Sequence, residues 1–200
     1  MQQQLTATWW LQCASSPQAL AAGQRLREQV FAEELAWVPR SSTGLECDAY
    51  DPGSVHVCVG QGTELAGYVR LTPRTQAWML DGPFAELWPG SVRQIVPAAS
   101  LEVSRLAVRH DLRGRACVAG RSVFDALLYG MSRYSQAQQA GPWYAVVAVQ
   151  VYHWLMAKGL ACQALSAPQR MPDGVQALVV RIAVPQLSWP QPLVQAAIIP

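Results

Sequence analysis

One segment near the middle of the chain, Leu101–Val108, constrains the fold more than any other. Its apolar composition is typical of a buried β-strand, but Glu102 and Arg105 interrupt it three residues apart. Ionised side chains inside a core strand are costly unless they are paired or take part in chemistry. A second group of charges is embedded in apolar sequence upstream: Arg27, Glu46, Asp48, Asp51 and Arg70. Charges gathered in this way predict a site rather than a solvated surface.

The composition narrows the class of protein. With 200 residues, 51% of them hydrophobic, the chain can bury the core of one ordinary domain, which we expect to cover residues 1–200 with a loose, Pro-rich tail at residues 185–200. A net charge of +2 is too small to indicate a nucleic-acid partner. No apolar run reaches the roughly 18 residues that span a bilayer, so we expect no stable membrane insertion.

The cysteines and histidines do not predict a metal site. The five cysteines are scattered without a C-x-x-C pair, and His56, His110 and His153 are isolated. The first residues lack a basic region followed by an apolar block, which a secretory leader would require. We therefore expect reduced thiols in a cytoplasmic protein without a bound metal.

Hydrophobic periodicity predicts alternating strands and helices. The predicted strands are residues 6–13, 54–59, 64–71, 101–108, 143–149 and 175–184. The predicted helices are residues 18–35, starting at Ser15, Ser16 and Pro17, then residues 119–137 and residues 151–158, the last ending at Gly159. Residues 60–63 are a predicted turn and residues 72–99 an irregular stretch with short helices. This order is typical of a mixed α/β layer fold, in which a ligand often binds where neighbouring strands diverge.

The unusual residues form an ordered series of short motifs. They are Leu26, Arg27, Phe31 and Trp37; Glu46, Cys47, Asp48 and Asp51; Arg70, Leu71 and Pro73; Met79, Leu80 and Phe84; and Glu102, Val103, Ser104 and Arg105. In order and spacing this series resembles the acyl-homoserine-lactone synthases, which are bacterial autoinducer synthases. The resemblance covers about residues 26–108. It implies an α/β, single-domain, GNAT-like (acetyltransferase-like) three-layer α/β/α fold with a mixed, mostly antiparallel central sheet.

The resemblance also implies an activity, with the acceptor left open. An enzyme of this family moves an acyl chain from acyl carrier protein to S-adenosylmethionine and lactonises it to an acyl-homoserine lactone, a quorum-sensing signal. One position departs, because the family typically has an aromatic residue where this chain has Leu106. The sequence around Leu106 also resembles N-acyl amino acid synthases, which would use a free amino acid and form no lactone. A third possibility is a non-catalytic relative that binds a lipid or a protein partner.

Residues of the central strand suit the chemistry of such a reaction. When an amine attacks a thioester, its ammonium form must lose a proton and the developing oxyanion needs a donor. We take Glu102, Ser104 and Arg105 as candidate catalytic residues, with Glu102 receiving the proton directly or through a water. Burial would raise the pKa of Glu102, and Arg105 nearby would oppose that. The alternative is that Glu102 and Arg105 complete a buried ion-pair network.

The upstream residues are candidates for binding the acceptor. Opposed charges suit an aminoacyl acceptor, which has both an ammonium and a carboxylate, and aromatic faces favour a sulfonium cation. The resemblance implies that Phe31 and Trp37 line a pocket for S-adenosylmethionine. The full set of predicted substrate-binding residues is Arg27, Phe31, Trp37, Asp48, Asp51, Arg70 and Phe84. Helix packing for Phe31 and turn capping for the two aspartates are the alternatives.

Two further groups are predicted for the acyl donor. A basic turn with Arg109, Arg113 and Arg115 leads toward the long helix, where a glycine-rich loop would bind a cofactor's pyrophosphate. Its arginines suit the acidic surface of an acyl carrier protein instead, although a solvated basic turn is the alternative. The predicted acyl-chain pocket consists of Trp143, Val146, Val149 and Trp154, which would otherwise be core residues. We expect no cofactor, because S-adenosylmethionine is a substrate and the acyl-phosphopantetheine belongs to the carrier.

Overall fold

A single sheet of nine strands organises the part of the chain that the computed structural model describes, residues 9–14, 17–88, 90–189 and 194–195. The strands are β1 (Trp9–Ala14), β2 (Val55–Gln61), β3 (Glu64–Pro73), β4 (Leu101–Val108), β5 (Trp143–Ala148), β6 (Cys162–Ala164), β7 (Gln169–Arg170), β8 (Gln176–Ile182) and β9 (Val194–Gln195). Their order is β6-β8-β5-β4-β3-β2-β1-β9, with β7 also paired to β8. Among the strand pairs of the described residues, β4–β5 and β1–β9 are parallel and the others antiparallel, so the expectation of a mixed, mostly antiparallel sheet is confirmed.

Helices cover both faces of this sheet. They are α1 (Pro17–Arg27), which continues as a π-helix (Glu28–Glu34), α2 (Gly90–Arg93), α3 (Val123–Ala137) and α4 (Val149–Ala157), with 3-10 turns at Met79–Asp81 and His110–Leu112. Side chains of α3 and α4 join the largest core cluster, whereas α1 and the irregular segment after β3 join clusters on the opposite face. The predicted three layers are therefore confirmed. No helix of the described residues is long and apolar enough to cross a bilayer.

The alternation of β3 shows how the two faces differ. Val69 and Leu71 point into the core beneath α3, whereas Tyr68 and Arg70 point toward α1. All four side chains are fully buried. Because successive strand residues point to opposite faces, the α1 face receives a buried arginine next to apolar neighbours. The buried charges of the molecule are thus concentrated on one face of the sheet.

The main helices and strands match their predicted positions, with two instructive differences. The predicted helix over residues 18–35 changes from α to π at Glu28. The long helix begins at Val123 rather than residue 119, because Ala119 and Gly120 have φ of +50° and +77° and cannot continue a right-handed helix. The basic turn therefore does not lead directly into α3, which corrects that expectation. Residues 6–8 of the first predicted strand, and Ser15 and Ser16 of the first helix start, lie outside the described residues.

The C-terminal part of the chain differs from the loose tail that its proline content predicts. The Ser132 hydroxyl donates a hydrogen bond to the Pro185 carbonyl, and Trp189 packs on Tyr129 with ring centroids 5.4 Å apart. Val194–Gln195 pairs with β1. Strands β6, β7 and β9 have only two or three residues each, which is too short for a periodic pattern. Residues 190–193 and 196–200 of the predicted tail lie outside the described residues.

Candidate active site

A β-bulge in β4 brings two neighbouring polar side chains to the same face. The pairing of β3 with β4 shifts after the Arg70–Ser104 pair, so that Arg105 and Leu106 lie opposite one residue of β3. Arg105 has φ +55°, a conformation that non-glycine residues rarely adopt. As a result Ser104 and Arg105 both face the α1 side, and Leu106 packs into the opposite core. Without the bulge, strict alternation would send the Arg105 guanidinium into that core.

Arg27, at the end of α1, is the centre of a buried ion cluster. Its Nε donates to Glu46, its Nη1 donates to Asp51 Oδ1 at 2.6 Å, and its Nη2 lies 3.7 Å from Asp48 Oδ2. The Arg27 side chain is fully buried. Its pKa lies above the usual range, because hydrogen bonds and charges from these partners outweigh the desolvation that would lower it. Arg27 thus holds the carboxylate-bearing loop against the sheet.

Two further arginines complete the cluster from the strands. The Arg70 guanidinium donates to Asp48 and to Asp51 Oδ1, the latter at 2.7 Å, and its Nε donates to Ser104 Oγ at 3.0 Å. Arg105 Nη2 lies 3.1 Å from Glu46 Oε1 and 2.8 Å from Asp48 Oδ2. Three guanidiniums therefore meet three carboxylates, and their formal charges cancel.

The cluster has an inner and an outer part. Arg27 and Arg70 have no exposed side-chain surface, whereas Arg105 and Asp48 keep 14% and 17%. Burial alone would raise the pKa of Asp51, but hydrogen bonds from Arg27 and Arg70 outweigh it and lower that pKa to about 2. The outer pair is accessible to a ligand, and the inner arginines act by holding it in place.

Glu102 stands apart from these ion pairs. Its carboxylate accepts hydrogen bonds from the backbone N–H groups of Met79 (2.9 Å) and Leu80 (2.8 Å), and within the described residues it forms no ion pair. Burial raises the pKa of Glu102 to about 7, against the lowering effect of those two bonds and of the Arg70 charge. The opposing charge is mainly that of Arg70, because the Arg105 guanidinium is engaged with Glu46 and Asp48.

The sheet opens immediately beyond Glu102. Only two residue pairs join β4 to β5, Leu101 with Trp143 and Glu102 with Tyr144, although β4 continues for six more residues. Past this point the two parallel strands separate, and β5 ends in α4. Glu102 therefore lies where neighbouring strands diverge, the position at which α/β sheets commonly bind ligands.

An aromatic pair covers the outer side of the ion cluster. The π-helix carries Phe31, and Trp37 follows it after Ala36, whose φ of +52° ends the helix. The rings of Phe31 and Trp37 stack with centroids 6.1 Å apart, and the Arg105 guanidinium lies 5.7 Å from the Phe31 ring centroid. Trp37 is 50% exposed. Local π-helices are common at functional sites, and this one directs an aromatic surface toward the outer arginine.

Phe84 does not join this surface. It packs with the aromatic cluster of Trp78 and Trp88, and its backbone N–H donates to the Met79 carbonyl at 3.0 Å. Its contacts stabilise the turn whose N–H groups hold Glu102. The substrate contact of Phe84 stays a prediction.

The predicted carrier-docking arginines lie on the surface, and two of them already have partners. Arg109 pairs with Asp111 at 2.7 Å, and Arg113 pairs with Glu34 at 2.6 Å. Arg115 is exposed. The docking role stays a prediction, for which Arg115 is the most available side chain.

The structure does not bring the four predicted acyl-chain residues together. Trp143 is fully buried in the core, where its indole N–H donates to Ser135, and Val146 points to the other face of β5. Val149 packs against the core beneath α3, and Trp154 meets Phe124 of α3 edge-on. Strand alternation puts Trp143 and Val146 on opposite faces of β5. The prediction that all four residues line one pocket is therefore wrong. A separate cavity of about 170 Å³ lies among α3, Leu160 and residues 187–189, outside the ion cluster.

Several residues of the cluster were missing from the predicted site set. Glu46 bridges Arg27 and Arg105. The sequence analysis names Glu46 among the clustered charges but predicts no binding or catalytic role for it. The Met79 thioether lies 3.1 Å from Arg70 Nη2 and 3.3 Å from Arg105 Nη1. His56 and Tyr68 lie beneath Arg27. Strand alternation could have identified His56 and Tyr68. Tyr68 lies two residues before Arg70 on β3, and His56 pairs with Arg70 across the sheet, so all three side chains point to the same face.

A mixed sheet that splits between β4 and β5, with helices on both faces, is the fold of the GNAT acyltransferases. The acetyltransferase (GNAT) domain family matches residues 26–122. The acyl-homoserine-lactone synthase of Vibrio anguillarum is 30% identical over 146 residues, which cover 70% of this chain and 73% of that protein. The chain belongs to the acyl-homoserine-lactone synthase family, and is an acyltransferase of that family.

Solved structures show the same fold. A CoA-dependent acyl-homoserine lactone synthase, BjaI, bound to SAM and isopentyl-CoA, has a TM-score of 0.77 at 22% identity, over 89% of this chain and 84% of that one. The acyl-homoserine-lactone synthase LasI has a TM-score of 0.72 at 22% identity, over 90% and 91%. TofI with an inhibitor and MTA has a TM-score of 0.69 at 23% identity, over 88% and 91%.

Proposed function

We propose that this protein transfers an acyl chain from acyl carrier protein to the amine of S-adenosylmethionine and then closes the lactone. The observation that carries the proposal is the position of Glu102, a buried carboxylate with a pKa of about 7, where β4 and β5 separate. A general base is most effective when its pKa lies near the working pH. The same strand presents Ser104 and Arg105 toward the acceptor side.

In the first step, the substrate nitrogen attacks the thioester carbonyl. The N–C bond forms and the C–S bond breaks. The nitrogen loses two protons as the ammonium becomes an amide: one passes to Glu102 directly or through a water, and the other protonates the thiolate that leaves on the carrier. Ser104 Oγ accepts a hydrogen bond from Arg70 Nε, so its own proton is available to the developing oxyanion. In the second step, the carboxylate attacks its own γ-carbon, and that carbon's bond to sulfur breaks. Methylthioadenosine is released with the electron pair on sulfur.

The outer part of the ion cluster suits the acceptor. Arg105 can receive the acceptor's carboxylate and Asp48 its ammonium, because both side chains reach solvent and lie 2.8 Å apart. The exposed face of Trp37 suits the sulfonium or the adenine ring. The family departure at Leu106 leaves this surface intact, because Leu106 packs into the core on the opposite face.

The donor side favours a carrier protein over free coenzyme A. In the turn after β4, the N–H groups of Leu112, Arg113 and Arg115 already donate to backbone carbonyls. At the start of α3, Ser122 and Asp125 form a capping box. A pyrophosphate would have to compete with these bonds, and with the Asp125 carboxylate. An acidic carrier would instead need exposed basic side chains such as Arg115.

The test is a matrix of two donors and two acceptors with mass spectrometry of the products. Octanoyl carrier protein or octanoyl-CoA is combined with S-adenosylmethionine or with a mixture of amino acids. The proposal predicts an acyl-homoserine lactone from the carrier thioester and S-adenosylmethionine. An N-acyl amino acid without lactone would show that the acceptor is an amino acid and not S-adenosylmethionine. Lactone formed only from octanoyl-CoA would show that the donor is coenzyme A and not the carrier protein. No product in any arm would overturn both assignments.

A further inference from the structure

Two buried side chains lie directly beneath Arg27, and neither forms an ion pair with any residue that the structure describes. Tyr68 on β3 and His56 on β2 are 0% and 2% exposed. His56 Nδ1 lies 2.7 Å from the Tyr68 hydroxyl oxygen, and the two rings stack with centroids 5.8 Å apart. Burial lowers the pKa of His56 to about 4 and raises the pKa of Tyr68 above its usual range. Both side chains are therefore neutral near pH 7.

The hydrogen bonds of this pair run in one direction. Arg27 Nη1 can only donate, and it lies 3.4 Å from the Tyr68 oxygen. The single phenol proton is then available to His56 Nδ1, which accepts it in the neutral imidazole. Arg27, Tyr68 and His56 thus form a chain of hydrogen bonds that starts at the guanidinium, which also donates to the Asp51 carboxylate.

Packing fixes the Tyr68 ring in this position. The Arg27 guanidinium carbon lies 5.7 Å from the ring centroid. On the α1 side the ring lies against Gly23, where a Cβ atom would come within 2.4 Å of two ring carbons. The helix can approach β3 this closely only because residue 23 has no side chain. The hydroxyl of Tyr68 is therefore held where it meets both Arg27 and His56.

We propose that Tyr68 and His56 are positioning residues for acceptor binding. They form a neutral support that sets the orientation of Arg27. Through Glu46 and Asp51, Arg27 in turn sets the placement of the outer pair, Arg105 and Asp48. Because Tyr68 and His56 are uncharged, they add no charge to the cluster of three arginines and three carboxylates. The proposal rests on the proposed function for the identity of the acceptor. It predicts that the support affects acceptor affinity rather than the chemical step or the donor.

The test compares three variants in steady-state kinetics. Tyr68→Phe removes only the hydroxyl, and His56→Leu removes the acceptor of its proton. Each should raise the KM for S-adenosylmethionine about 3- to 10-fold, as expected for a lost hydrogen bond beside a charge, with kcat and the donor KM unchanged. His56→Asn should restore the wild-type KM, because the asparagine side-chain oxygen lies near the position of Nδ1. Tyr134→Phe, on α3 at the opposite face, is the matched control and should change nothing.

Thermal unfolding of the same proteins separates positioning from folding. An unchanged KM in Tyr68→Phe, with or without a lower Tm, would overturn the proposal, and so would a fall in kcat at constant KM. Failure of His56→Asn to rescue would also overturn it. A wild type that ignores S-adenosylmethionine but acylates an amino acid refutes the proposed function only. The KM for that amino acid then decides the role of Tyr68 and His56 by the same comparison.

Discussion

Replacing Glu102 with glutamine tests both the stability and the chemistry that the buried carboxylate implies. The pKa of Glu102 rises from 4.5 to about 7 because burial disfavours the charged form. The native pKa is thus above the unfolded value, so this group's contribution to stability is complete below about pH 4.5. It is lost progressively as pH rises to about 7. The shift corresponds to about 3 kcal/mol of unfolding free energy, an order-of-magnitude value.

The glutamine variant does not titrate and should lack this loss. We expect the unfolding free energy of wild type relative to Glu102→Gln to fall by about 3 kcal/mol between pH 4.5 and pH 8, measured by urea denaturation. The variant should also lose about 10²- to 10⁴-fold in acyl-transfer rate, because an amide cannot accept the ammonium proton. Glu64→Gln, at the exposed start of β3, is the control. If the unfolding free energies of wild type and Glu102→Gln change with pH in the same way, the raised pKa of Glu102 is refuted. Wild-type turnover in the folded variant would refute its role as the base.

Two further predictions concern the acceptor and the donor. Trp37→Ala removes half-exposed aromatic surface and should weaken S-adenosylmethionine binding about 2- to 30-fold in calorimetric titration while sparing donor use; equal affinity would remove Trp37 from the site. Arg115→Glu should raise the KM for acyl carrier protein at low salt, with the effect shrinking at high salt, whereas Arg170→Glu on β7 should not. Normal carrier use by Arg115→Glu at low salt would place the docking surface elsewhere.

Periodicity predicted the elements that have enough residues to show it. The strand Leu101–Val108 has its predicted bounds, and α3 ends at the predicted residue, Ala137. The bulge at Arg105 was not predictable, because a single residue with φ +55° leaves no mark on the hydrophobic pattern. The change from α to π after Arg27 was missed for the same reason, since both helices present apolar residues at similar spacing.

The charged residues of the site were easier to predict than their partners. Arg27, Asp51 and Arg70 stand out in the sequence because buried charges are rare, and the structure places them in one cluster. The sequence could not show that, among the described residues, Glu102 has no ion-pair partner while Arg105 has two, because that depends on which face each side chain takes. That difference leaves Glu102 without a neighbouring guanidinium in contact, and it allows burial to raise its pKa.

The fate of labelled S-adenosylmethionine tests the central claim most directly. The purified protein is supplied with octanoyl carrier protein and S-adenosylmethionine that carries ¹³C in its aminobutyryl carbons, and the products are followed by mass spectrometry. The proposed reaction predicts one labelled octanoyl-homoserine lactone for each methylthioadenosine released, with both products lost in Glu102→Gln. Hydrolysis of the thioester without labelled amide, or a labelled amide that forms without methylthioadenosine, would contradict it.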